Sequence, residues 1–248
     1  MSDVNINDQL ICILGDSASG KSASLQNIPN QDRWLYLNCE AGKRLPFKNQ
    51  FQNLTVSDPY QIYEAFDVIK PGGDMEGQID GIIIDTITFM MDMMESVHVL
   101  PAEDTQKAWG DYAQFFKNLM QQRVSICPVP VLMLSHVKAI YNEKTLSYDV
   151  KIPVKGQLQY NGLESFFSTI VSTKKMELEA LEDYQNGMLN ISQEDEMLGY
   201  KHVFQTKLTK ATVGERIRSP IGMFTTSETY IDNDASILLD HMKKYYGN

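Results

Sequence analysis

Short apolar runs closed by glycine, proline or polar residues alternate along this chain with stretches whose apolar positions fall three and four apart. Residues 9–14 (QLICIL) form a compact run that stops at Gly15, the pattern of a buried strand; residues 34–38 (WLYLN), 81–85 (GIIID) and 128–134 (PVPVLML) repeat it. Between the first two, residues 21–28 predict a short helix. Ile62, Ala65, Phe66 and Ile69 have helical spacing, with Asp58 placed to cap the start. Met90, Met91, Met93 and Met94 fill a second helix-prone stretch as core residues. Residues 104–124 predict the longest amphipathic helix, with Trp109, Tyr112, Phe115, Phe116 and Leu119 on one side. Continuous apolar strands separated by helices predict an α/β fold, a mostly parallel sheet covered on both faces.

The second half changes character. Residues 138–162 are polar, carry lysines and tyrosines, and alternate as a hairpin does. Residues 169–172 and 203–208 predict further strands, an antiparallel extension on the C-terminal side, and residues 235–245 predict a closing helix. No repeat or composition break divides the 248 residues, which predicts one domain over 1–248 with its core at about 8–225.

Composition narrows the classes. Apolar residues make up 43% of the chain, enough for a real core. No apolar run approaches the roughly 20 residues needed to span a bilayer, and residues 1–5 lack the pattern of a signal peptide. Cys12, Cys39 and Cys127 form no closely spaced pair, which argues against a disulfide framework and for a reducing cytoplasm. With 22 basic and 32 acidic residues the net charge is −10, which excludes a generic DNA-coating protein. Seven acids gather in residues 177–196, a solvent- or partner-facing segment. Residues 201–218 hold five basic residues and one acid, a local charge of +4.

Gly15-Asp16-Ser17-Ala18-Ser19-Gly20-Lys21-Ser22 matches the phosphate-binding pattern G-x-x-x-x-G-K-[ST] at every fixed position, after a strand and before a predicted helix. Glycines let the backbone wrap a phosphate, Lys21 adds a charge at the outer phosphates, and the Ser22 hydroxyl suits Mg²⁺. Asp85, at the tip of GIIID, either coordinates the metal or caps the next helix; the phosphate loop upstream favours the metal. Thr86 stands where many ATPases place a water-activating glutamate, so the base lies elsewhere, and Glu40, just past WLYLN, is the candidate. His136, ending the fourth strand, is placed to feel the γ-phosphate.

Taken in order, GDSASGKS, NCEAG, IIIDTITF and LMLSHVK resemble the RecA/RadA/DnaB-type core ATPases, and more closely their compact bacteriophage relatives that act in recombination and single-strand annealing. The resemblance implies a RecA-like ATPase using ATP and Mg²⁺, with Glu40 as base and His136 where such proteins commonly have glutamine. Residues 212–222 (TVGERIRSPIG) resemble the K-x-R-x-G-P segment of hexameric members, which implies that Arg216 and Arg218 reach the nucleotide of a neighbouring subunit, with Arg in place of Lys at the first position. It further implies a homo-oligomer, ring or filament, on single-stranded DNA, possible help from a single-strand-binding protein, and the cytoplasm of a bacterial host. Lys138, Lys144, Lys151 and Lys155 interleaved with Tyr141, Tyr148 and Tyr160 suit single-strand contact, by phosphate neutralisation and base stacking. A nucleotide-gated assembly module with little turnover, a helicase- or loader-type motor, and a P-loop transferase are the other readings. The transferase is disfavoured because no arginine-rich lid follows the fourth strand.

Overall fold

The computed structural model describes residues 7–143 and 146–247. Among the described residues ten strands form: β1 (Leu10–Gly15), β2 (Trp34–Asn38), β3 (Gln52–Thr55), β4 (Gly81–Asp85), β5 (Val131–His136), β6 (Lys138–Asn142), β7 (Ser147–Lys151), β8 (Thr169–Glu177), β9 (Tyr200–Gln205) and β10 (Tyr230–Asp232). Eight of them make one sheet in the order β10-β9-β8-β1-β5-β4-β2-β3; β6 and β7 pair as a separate hairpin. From β8 through β3 every pairing is parallel, while β9 runs antiparallel to both β8 and β10. The parallel sheet and its antiparallel extension therefore form as the apolar pattern predicts.

Alternation along each central strand sends side chains to two separate cores. Cys12, Leu14, Ile82, Ile84 and Met133 face one layer, built from α1 (Tyr60–Ile69), α2 (Ile87–Met94) and α3 (Thr105–Asn118). Ile11, Ile13, Ile83, Leu132 and Leu134 face the other, closed by α6 (Ala235–Tyr246). Two short helices, α4 (Leu158–Asn161) and α5 (Gln193–Leu198), sit in the connections. Among the described residues no helix is long and apolar enough to cross a membrane. Cys12, Cys39 and Cys127 are buried and unbridged.

Four sequence expectations need correction. The helix expected over residues 21–28 is a single 3₁₀ turn, Ser22–Leu25; Pro29 disfavours helical backbone at the residue before it. The long helix over 104–124 keeps α-geometry only to Asn118, then continues as a π-turn and a 3₁₀ turn. α1 begins at Tyr60, with Pro59 in the cap position; Asp58 accepts from the Tyr60 N–H at 2.9 Å and also meets His98 at 3.0 Å. The strand expected at 203–208 is Tyr200–Gln205. β3 is a further element that the pattern did not show, because its residues are mostly exposed and polar.

Candidate nucleotide site

The parallel register brings the sequence motifs to one edge of the sheet. Gly15 pairs with His136, Leu134 with Asp85, and Asp85 with Asn38, so the ends of β1, β5, β4 and β2 are level. Ligands of open α/β sheets bind at these carboxyl ends. Beyond β1 the chain doubles back through Ala18 and Gly20, at φ +61° and +106°. Gly20 is required there: a Cβ would meet Asn233 Nδ2 in a backbone conformation that side chains rarely adopt. Gly15 is required by contact, since a Cβ would strike Ser19 Oγ and Thr173 Oγ1.

Lys21 is only 6% exposed and folds back over its own loop, donating to the carbonyls of Gly15 at 2.9 Å and Asp16 at 2.7 Å. Burial pulls its pKa down against the opposing charges of Asp85, Glu40 and Asp16. Its ammonium stands 3.4 Å from His136 Nδ1, and His136 Nε2 stands 3.3 Å from Glu40 Oε1. The tautomer with its proton on Nε2 serves both contacts, accepting from Lys21 and donating to Glu40. Lys21, His136 and Glu40 thus form one chain from the phosphate loop to the candidate base.

Glu40 also accepts from Lys43 at 2.7 Å. Burial pushes its carboxyl up, but the hydrogen bonds from Lys43 and His136 outweigh this and hold its pKa below the ordinary value. A carboxyl with a depressed folded pKa stabilises the chain fully above the unfolded value of about 4.3 and loses that contribution as pH falls through the folded value. Comparing the pH dependence of melting for the wild type and Glu40→Gln checks this: the gap between the two should narrow only below that range.

Asp85 is 2% exposed. Its Oδ2 accepts from Ser22 Oγ at 3.0 Å and from Tyr36 OH at 2.8 Å, while Oδ1 is buried without a hydrogen-bond partner. Burial raises its pKa, Tyr36 opposes the rise, and the charge of Glu40 adds to it. The alternative role of Asp85 as a helix cap is taken by Thr86, whose hydroxyl accepts from the Phe89 N–H. A buried carboxylate oxygen with open valence beside a serine hydroxyl fits a hard cation such as Mg²⁺. Among the described residues no cluster of three or more metal-binding side chains occurs, so Ser22 and Asp85 would hold the ion together with phosphate oxygens.

The motifs bound a cleft of about 400 Å³. Ser17, Ala18, Gly20, Lys21 and Ser22 line it, with Glu40, Asp85 and His136. Sequence reasoning missed several of its walls. Tyr36 reads as an ordinary strand residue; Lys43, Arg44, Leu45 and Pro46 form a loop with no motif. From the antiparallel extension, His202 Nδ1 meets Ser19 O at 2.9 Å and Asn233 donates to Gly20 O at 2.9 Å, while Thr173 of β8 pairs with Ser19. These three clamp the phosphate loop from positions far away in sequence, on β8, on β9 and just past β10, and no local pattern announces them.

Arg216 and Arg218 lie outside this cleft, in a second cavity of about 360 Å³ that Lys151 and Tyr160 also line. Arg218 pairs by its backbone with Ile170 and donates its guanidinium to Glu164 O; Arg216 is 3.9 Å from Asp149. The same segment is joined to the hairpin, since Val150 donates to Gly214 O at 2.9 Å. On the hairpin, Tyr141 and Tyr148 are 50% and 60% exposed, with ring centroids 5.3 Å apart. Lys155 is committed to Glu95 at 2.6 Å, and Lys201 to Asp195 and Asp232, which thins the basic patch read from composition. Lys144 and the N-terminal residues 1–5 lie outside the described residues. Of the seven acids in residues 177–196, all but the partly buried Asp195 are exposed.

A family model described as an AAA domain matches residues 7–214, a span that holds the phosphate loop, Glu40, Asp85 and His136 and ends before Arg216. No curated protein matches the chain. On a match covering most of its length, the chain belongs to the AAA domain family, with the α/β fold and phosphate loop of a nucleotide-binding ATPase.

Proposed function

We propose that this chain is a RecA-like ATPase that hydrolyses ATP with Mg²⁺ and acts on single-stranded DNA, in phage recombination, annealing or repair. The observation that carries this reading is His136. It touches both Lys21 and Glu40, and the strand that bears it runs after one residue into the hairpin with the paired tyrosines. A phosphate that drew Lys21 off its own loop carbonyls would change the partner of His136, and the hairpin is the next element along the chain. In this reading Ser22 and Asp85 hold the metal, Lys21 the outer phosphates, and Glu40 orients water. Arg216 and Arg218, outside their own cleft, serve that of a neighbouring subunit in a ring or filament.

The test is phosphate release measured with single-stranded DNA, with duplex and with neither. Stimulation by the single strand alone is expected; equal rates in all three would remove DNA from the reading. One observation favours a second reading, a nucleotide-gated assembly module with little turnover. Lys43 holds Glu40 at 2.7 Å, away from free service as a base. Tight ATP binding with no phosphate release under any of the three conditions would select it.

A further inference from the structure

Asp85 receives two donors on one oxygen and none on the other. Ser22 and Tyr36 both meet Oδ2, and Oδ1 is left buried and bare. The origin of this asymmetry is the sheet. Tyr36 pairs in register with Ile83, two residues before Asp85 on the adjacent strand, so all three side chains stand on the same face. The Tyr36 ring is 3% exposed and stacked on Phe51 at 6.0 Å, which fixes where its hydroxyl points. Ser22 approaches from the phosphate loop, which must accommodate the ligand, whereas Tyr36 approaches from the packed strand.

We infer that Tyr36 is a positioning residue for the divalent cation of the bound nucleotide: its hydroxyl pins Oδ2 so that Oδ1 is presented to the metal. A carboxylate on a single bond rotates between two equivalent settings, and a donor fixed on one oxygen removes that freedom before the ion arrives. Hydrogen-bonded partners of metal ligands typically change metal affinity 10- to 100-fold when removed. The inference rests on the cleft being a magnesium–nucleotide site.

The test is Tyr36→Phe, which keeps the ring and removes the hydroxyl. ADP binding is measured by calorimetry with excess chelator, and Mn²⁺ binding in the presence of saturating ADP by electron paramagnetic resonance. Metal-free ADP affinity should stay within twofold of wild type, while the Mn²⁺ midpoint should rise about tenfold. Phe51→Leu loosens the stacked ring but leaves the hydroxyl, and its Mn²⁺ midpoint should rise by less than that of Tyr36→Phe. An unchanged midpoint in Tyr36→Phe, an equal loss of metal-free and metal-dependent binding, or the same shift in Phe51→Leu would each overturn the inference. Failure of the underlying reading looks different: the wild-type chain itself would not bind ADP.

Discussion

Glu40→Gln should leave ATP binding within about twofold of wild type and lower the rate of phosphate release by about 10²- to 10⁴-fold, the range for loss of a general base. Glutamine preserves size and its single amide oxygen can still accept from Lys43, while its NH2 replaces the oxygen that faced His136, so the cleft should largely keep its shape. What it loses is a carboxylate whose pKa lies below the ordinary value, ionised throughout the neutral range and able to take a proton from water. The residue after Asp85 is Thr86, which caps α2 and carries no acid, so no carboxylate stands there to substitute. Binding by calorimetry and single-turnover phosphate release separate the two effects. Wild-type turnover in Glu40→Gln would take Glu40 out of the mechanism and return Lys43 and His136 to structural roles.

The residues that could be read in advance share one property: their place in the cleft follows from local spacing. The phosphate loop is eight consecutive residues, and Asp85 and His136 each end an apolar run, so a parallel sheet alone suffices to bring them level. Glu40 required only that β2 lie beside β4, which it does. The segment after the phosphate loop looks helical because lysine, serine and leucine are compatible with a helix, whereas Pro29 disfavours helical backbone just before it and only Ser22–Leu25 forms a turn. Tyr36, His202, Asn233 and Thr173 could not be read, because each acts across strands whose pairing is set by tertiary packing. His202 and Asn233 belong to the antiparallel extension, about 180 and 210 residues from the loop atoms they meet. A buried tyrosine in WLYLN is indistinguishable by pattern from its apolar neighbours until the register with β4 places its hydroxyl on Asp85.

The charge of −10 also reads differently once the ion pairs are known. Lys155, Lys174 and Lys201 are spent on Glu95, Glu215 and Asp195, so the basic residues counted along the chain overstate the cationic surface of one subunit. On the proposed reading, single-strand binding would lean on stacking more than on charge, and the exposed pair Tyr141 and Tyr148 is the surface we propose for it. Replacing both by alanine should weaken affinity for single-stranded DNA about 100-fold, because base–ring stacking contributes roughly 1–3 kcal/mol per base. Phosphate release without DNA should be unchanged, since neither ring touches the cleft. Binding isotherms over a range of salt distinguish the source: loss of the rings should lower affinity at every salt concentration with the slope preserved, whereas Lys138→Ala should flatten the slope by about 0.7. A double tyrosine variant that binds as the wild type does would place the DNA surface elsewhere, and the cavity holding Lys151, Arg216 and Arg218 would then be its strongest rival.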